Sequence, residues 1–463
     1  MKSAKAISKL VVLASFLACF CLFGFRSTFS VLQSSMSSDL TATTGTAWTG
    51  SMLSTGYSLM MMVYAVTSFF AGRIVDKLGC RPVYLIAAVF CFTGMFATSF
   101  IEDFIFYCLS YGLFAGIGTG MLWVSSTASV RKWFVGDRYA TAWGFAFAGA
   151  PIAQVLLSYF LAPILKQDPA LWRLSMRVFA FLFLALLIVA GVVARKNPDA
   201  YGAKAFGTLP VKQGAKPHDF TLGEAFRTYP IWAAILAFLG SMLGEFLVWS
   251  QIVKFFETNI GYDITTATNL YVIIGVCGIF TMPVLGRVCD AFVKKVGNEA
   301  KGRKYSLIFA PACGIVGCAC LLNMTADTMW LGVIACVIFA FYWAIEPGGV
   351  AGYAGSLYGS KSFGKIWGLA TLIVMFIGPA TGSFVGGLLP EMTDGTYTAS
   401  IMFALCGYCF SLVFACTMPV KLKVPAPVAE PDVLERVEEA IEEEVEQLEE
   451  RLPGKRVGVP PVL

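Results

Sequence analysis

Gly72-Arg73-Ile74-Val75-Asp76-Lys77-Leu78-Gly79-Cys80-Arg81 closes one long apolar stretch and opens the next. Close to half of the 463-residue chain further on, Gly286-Arg287-Val288-Cys289-Asp290 repeats its opening at the end of another apolar stretch, with Lys294 and Lys295 just beyond. A single charged turn between hydrocarbon-rich segments is a weak signal. Two copies at the half-period predict two homologous bundles of membrane helices, the arrangement that a duplicated hydrophobic chain adopts.

Composition agrees with that reading. The chain is 57% hydrophobic and 14% charged, with mean hydropathy +0.72, where a soluble domain carries about 25% charged residues. Each apolar run is on the order of 20 residues, enough for a helix to cross ~30 Å of hydrocarbon. Twelve spans are predicted at 8–32, 45–71, 83–101, 104–127, 139–164, 171–194, 228–256, 266–290, 305–324, 328–352, 364–388 and 397–418. The fold class is therefore an all-α polytopic membrane protein of two pseudo-symmetric six-helix bundles. Residues 1–194 form the first bundle, 195–227 a cytoplasmic linker with room for a short surface helix, 228–418 the second bundle, and 419–463 an acidic tail. The run after Lys2, Lys5 and Lys9 is read as an uncleaved first helix, because no small-residue cleavage site follows it.

Orientation follows from the basic residues. With the N-terminus inside, Arg73, Lys77, Arg81, Arg131, Lys132, Arg138, Lys294, Lys295, Arg303 and Lys365 fall in inner loops. Asp39, Glu102, Asp103, Glu257, Asp263, Asp327, Glu391 and Asp394 fall in outer ones, with Lys166 and Arg173 as exceptions. This asymmetry places both termini in the cytoplasm, and the membrane expected is the plasma (inner) membrane. In the tail, Leu434, Val437, Ile441, Val445, Leu448 and Leu452 recur at helical spacing among glutamates up to Pro453. They predict an amphipathic acidic helix that is solvated or loosely docked.

The same residues exclude several functions. His218, in the linker, is the one histidine, so no imidazole can relay protons within the membrane. Most cysteines sit inside apolar runs, and Cys318-Ala-Cys320 is not metal spacing; they read as small packing residues. No catalytic group, cofactor or metal is expected. The net charge of +5 arises chiefly in the inner loops and does not suggest nucleic acid.

Glycine at a helix end permits a tight turn and close helix approach. An aspartate among basic residues can pair with a neighbouring loop or helix terminus, latching one conformation. The loop thereby resembles the signature Gly-x-x-x-Asp-Arg/Lys-x-Gly-x-Arg/Lys of the major facilitator superfamily, through Gly72, Asp76, Lys77, Gly79 and Arg81. The second copy keeps Gly286, Arg287 and Asp290 without the later glycine register. The stretch Gly116-Ile117-Gly118-Thr119-Gly120, Trp123, Arg131-Lys132-Trp133-Phe134, Arg138, Trp143-Gly144, Gly149 and Pro151 is similar to the oxalate/formate antiporter and monocarboxylate transporter branch. Where the resemblance would place an arginine in span eight and a lysine in span eleven, this chain has Met282 and a position near Val374. A divalent anion would lack its counter-charges.

Charges that persist inside a membrane are functional candidates by default. Arg26, in Gly24-Phe25-Arg26-Ser27-Thr28, can grip a carboxylate with two parallel hydrogen bonds, or else snorkel to the outer interface. Glu245, in Gly244-Glu245-Phe246-Leu247-Val248-Trp249, can carry a proton during transport or pair with Arg26. Glu346 precedes Pro347-Gly348-Gly349, which should break the helix and suit a cavity or gate; the alternative is a helix end at the interface. The resemblance adds Tyr57, Trp123, Gln154, Tyr342 and Trp343 as cavity-lining residues. It implies a secondary active transporter, a monomer in membrane lipid, moving a small organic anion, first a monocarboxylate, by H⁺ symport or anion antiport. A neutral or cationic solute, with Glu245 and Glu346 as counter-ions, is the alternative. A transporter-like sensor comes after both.

Overall fold

The computed structural model describes residues 2–207, 220–359 and 362–422. His218, Pro210, Pro217 and the predicted acidic helix of the tail lie outside the described residues. Twelve helices are long and apolar enough to cross a membrane. They are α1 (Lys2–Thr44), α2 (Gly50–Leu78), α3 (Cys80–Thr98), α4 (Phe104–Trp133), α5 (Gly136–Gln167) and α6 (Trp172–Val193) in the first half. The second half holds α7 (Tyr229–Thr258), α8 (Ile264–Val296), α9 (Glu299–Leu322), α10 (Met329–Tyr358), α11 (Phe363–Met392) and α12 (Thr398–Thr417).

The packing scheme occurs twice. In the first half α1 packs on α5 and α6, α2 on α4, and α3 on α4 and α6; in the second, α7 packs on α11 and α12, α8 on α10, and α9 on α10 and α12. The halves meet through α2 against α11 and through its symmetry equivalent, α8 against α5.

Helix limits follow local chemistry. Thr49 caps α2, Asp263 caps α8 and Asn298 caps α9, each accepting from backbone N–H groups of the first turn, which would otherwise be unpaired. Gly79 ends α2 at φ +85° and Gly297 ends α8 at φ +67°, a left-handed backbone that glycine adopts without strain. The second copy of the repeated loop thus has its stop glycine after all, about one helical turn later. Gly72 and Gly286 provide the expected close helix approach, but not the turn. They lie inside helices, where an added Cβ would collide with the backbone carbonyls of Gly364 and Ala140 respectively.

Three further features depart from the span predictions. The first helix runs to Thr44 rather than 32, because Met36 and Leu40 are fully buried and Asp39 accepts from Trp172 Nε1 at 2.8 Å and pairs with Arg173 at 3.0 Å. That pair also explains Arg173 as an exception to the charge asymmetry. Within α4, Cys108–Phe114 forms a π-helical segment. The helix α10 is unbroken through Pro347: Gly348 does not end it but makes room for the Trp143 indole of α5. The linker's surface helix is one turn, Leu222–Phe226, closed by a capping box between Thr221 and Glu224.

The α2–α11 crossing yields a prediction. A Cβ at Gly364 would stand 2.5 Å from the Gly72 carbonyl and 2.6 Å from the Asp76 carboxylate. Overpacking of this kind costs about 1–3 kcal/mol. Gly364→Leu should therefore lower the melting temperature and speed hydrogen exchange of the backbone amides at positions 364 and 365, while the protein still inserts in membranes.

Candidate functional site

At the end carrying the repeated loops, polar side chains tie the halves together. Asp76 of α2 reaches the N-terminus of α11, accepting from Gly364 N at 3.2 Å and Lys365 N at 2.8 Å, and Lys132 Nζ stands 2.6 Å from it. Asp290 of α8 does the same at the start of α5, accepting from Ala140 N at 3.0 Å and Thr141 N at 2.6 Å, with Arg303 Nη2 at 2.8 Å. Each aspartate meets the positive end of a helix dipole and unpaired N–H groups.

The two contacts are unequal. Beside Asp290, Arg131 of α4 grips Glu299 of α9 through both terminal nitrogens, at 2.5 and 3.1 Å, and Arg303 also donates to the Gly136 carbonyl at 2.9 Å. Side chains in this network are 4% exposed or less. The Tyr139 ring lies under both arginines, at 5.1 and 5.5 Å. Gly352 and Gly355 of α10 leave the space the guanidinium groups occupy. Among the expected switch residues, Asp76 and Asp290 make the contacts, Arg73 stacks on Phe69 at 3.9 Å and Arg287 on Phe145 at 5.2 Å. Lys77 and Arg81 are exposed. Sequence reasoning missed Arg131, Lys132, Glu299 and Arg303 as a network. Arg131, Lys132 and Arg303 were visible only as basic residues that mark the inner face.

A cavity of about 480 Å³ lies between the halves and is lined by the opposite ends of the helices. Arg26, Tyr57 and Gln154 line it from the first half, and Glu245 and Trp343 from the second. The Arg26 guanidinium is surrounded by the rings of Tyr64 at 4.5 Å, Phe23 at 5.2 Å and Phe246 at 5.4 Å. Its Nε and Nη2 are buried and have no hydrogen-bond partner. Both polar atoms of the Gln154 amide and the indole nitrogens of Trp249 and Trp343 are in the same condition. Most buried polar groups in native proteins are paired, and these atoms, with Ser383 Oγ, share one cavity in which a ligand can pair them.

The remaining site residues stand elsewhere. Trp123 is packed beneath the cavity, edge-on to Phe23 and Trp143 at 6.3 and 5.4 Å. Tyr342 supports rather than lines: its hydroxyl donates to Glu245 Oε2 and to the Ser241 carbonyl, each at 3.1 Å. Glu245 thus has a tyrosine partner, and it shares the cavity with Arg26. Glu346 does not line the cavity and is not at a helix end. It is fully buried, accepting from Ser241 Oγ at 3.0 Å while Ser241 meets Ser411 Oγ at 2.7 Å. Sequence reasoning overlooked Gln33, Ser54, Trp249, Lys254 and Tyr271 in the lining; single polar or aromatic residues in apolar helices gave no signal. Cys406 and Cys409, a Cys-x-x-Cys spacing on α12, are free and exposed. Among the described residues no group of His, Cys, Asp and Glu is arranged to hold a metal.

Two halves of repeated packing, tied at one end around a polar cavity open toward the other, define a membrane carrier. Residues 14–383 match the family described as Major Facilitator Superfamily, and the chain belongs to it. It is an integral membrane protein and a secondary transporter of a small molecule, not an enzyme. Monocarboxylate transporter 4 of Rattus norvegicus is 27% identical over 372 residues, covering 78% of this chain and 72% of that protein. The riboflavin transporter MCH5 of Saccharomyces cerevisiae is 23% identical over 292 residues, 61% of this chain and 54% of its own. Among solved structures, the proton:xylose symporter XylE superposes with TM-score 0.62 at 15% identity, covering 90% of this chain and 95% of that one.

Proposed function

We propose that the protein moves a small monocarboxylate across the plasma (inner) membrane by alternating access, as a monomer with both termini cytoplasmic. The observation that carries this reading is Arg26, a buried guanidinium on a cavity between the halves, two of whose nitrogens, Nε and Nη2, have no hydrogen-bond partner. One carboxylate is the natural complement of one guanidinium, through two parallel charge-assisted hydrogen bonds. The similarity to monocarboxylate transporters supports the same class. In this reading the Asp76 and Asp290 contacts latch the cytoplasmic end while the cavity faces outward, and the halves rock about the site.

Glu245 faces the same cavity and belongs to the opposite half, so it can take a proton with the anion. Anion exchange is the other mode, in which a second anion replaces the proton on the return step. Proteoliposomes with an imposed pH gradient test the proposal: a monocarboxylate should accumulate when the outside is acidic, and its uncharged amide should not. Equal handling of acid and amide would sink it. Glu245→Gln should lose gradient-driven accumulation at least tenfold while keeping exchange of one carboxylate for another. If both fall together, Glu245 binds substrate instead of carrying the proton. A second reading, an uncharged aromatic solute, is favoured by the rings of Phe23, Tyr57, Trp249 and Trp343 on the lining. The amide arm of the same experiment would reveal it.

A further inference from the structure

We propose that the substrate is a monocarboxylate bearing an aromatic ring, which lies between aromatic side chains of the two halves. This rests on the reading of Arg26 as the carboxylate's partner. The first half presents Phe23, Phe29 and Tyr57 to the cavity, and the second presents Phe246, Trp249 and Trp343. Phe29 stacks on Tyr57 with centroids 4.8 Å apart. Trp343 stands edge-on to Phe23 and to Trp249, at 5.7 Å in each case, so the rings join across the boundary between the halves.

Charge is scarce in comparison. The lining holds Arg26, Glu245 and Lys254 as its ionisable side chains apart from tyrosine. Lys254 is 56% exposed and pairs with Glu257 at 3.2 Å, which assigns it to the mouth. Met282 and Val374 are fully buried and apolar and add no charge. The site thus presents one deep cation, two indole N–H donors and one amide without partners, and rings on both sides.

Size points the same way. A volume of about 480 Å³ holds roughly sixteen waters at about 30 Å³ each. A two- or three-carbon acid fills a minor part of it and leaves the rings in contact with water. A phenyl or indolyl group displaces that water and meets the quadrupoles of the surrounding rings in the offset or edge-on arrangements they prefer. When the halves close, rings of both would contact it, so the ring would be held more tightly in the occluded state than in the open one.

The test is equilibrium binding to the full-length protein in lipid nanodiscs. The probes are acetate and lactate, phenylacetate and indole-3-acetate, cyclohexylacetate, and phenylacetamide. The aryl acids should bind at least tenfold more tightly than acetate or lactate, cyclohexylacetate should fall several-fold below phenylacetate, and phenylacetamide should lose at least tenfold. Aryl acids no tighter than lactate, or cyclohexylacetate equal to phenylacetate, would overturn the ring assignment and leave Arg26 as a carboxylate site. Phenylacetamide equal to phenylacetate would overturn both. Trp249→Ala and Tyr57→Ala should each reduce the phenylacetate-to-acetate affinity ratio at least fivefold. The ratio is measured within one preparation, so partial unfolding does not mimic the effect; an unchanged ratio in both variants overturns the proposal.

Discussion

Arg26→Gln is expected to abolish carboxylate uptake without lowering the stability of the protein. Two forces bear on this side chain. Around it lie the rings of Phe23, Tyr64 and Phe246, each cation–π contact contributing about 0.5–2 kcal/mol. Against them stands the burial of a charge whose Nε and Nη2 have no partner, an effective penalty of several kcal/mol. A structural arginine would be paired, and its removal would destabilise the fold. Here the two terms offset, and the melting temperature of the glutamine variant should match or exceed that of the parent. Transport should respond in the opposite sense. Removing one member of a buried, hydrogen-bonded charge pair costs about 2–5 kcal/mol, or roughly 30-fold to several thousand-fold at about 1.4 kcal/mol per decade. Arg26→Lys keeps the charge but loses the planar fork, so it should recover only a part of the uptake. A glutamine variant that melts many degrees lower and still takes up the anion would make Arg26 a packing residue.

The sequence spoke clearly where the signal is local and periodic, and poorly where it depends on distant partners. Twelve spans and the half-period were legible because hydrocarbon thickness dictates about 20 apolar residues per helix and duplication repeats the loop. The extension of α1 to Thr44 was not, since hydropathy marks where a helix leaves lipid rather than where it ends; Asp39 and its partners on α6 keep it going. Pro347-Gly348-Gly349 reads as a breaker, yet neighbouring membrane helices tolerate a proline, and Trp143 packs against the glycine. Of the site residues, Arg26, Tyr57, Gln154, Glu245 and Trp343 line the cavity. Trp123, Tyr342 and Glu346 lie behind it, because a helix that reaches a cavity shows it only one face. The partnership of Arg131 and Glu299 spans 168 positions, and no periodicity connects them.

Glu299→Ala should open the end that this partnership closes. Arg131, Glu299, Arg303 and Asp290 form a buried set of two cations and two anions. Removing one anion leaves a guanidinium without its bidentate partner, and breaking a buried pair in this way costs about 3–5 kcal/mol. The protein can escape that cost without unfolding, because parting α4 and α5 from α8 and α9 returns the charge to water. The penalty therefore falls on one conformation and shifts the balance between the two. A shift of about 3–5 kcal/mol carries a 1:99 balance past parity, since full inversion to 99:1 needs ~5.5. In hydrogen-exchange mass spectrometry, the segments around Arg131–Ala142 and Lys294–Arg303 should lose protection, while affinity for ligand added from the cavity side falls. The double variant Arg131→Ala/Glu299→Ala removes the orphan charge and should recover part of the protection, a coupling measurable by a double-mutant cycle. Asp76→Asn, on the pseudo-symmetric contact, should do less. There a single Lys132 pair is lost, the asparagine oxygen can still accept from one N–H of α11, and Lys132 has a flexible stem that can reach water. Equal effects at the two contacts would mean that the α11 dipole carries the closure and that the extra arginine–glutamate pair adds nothing to it.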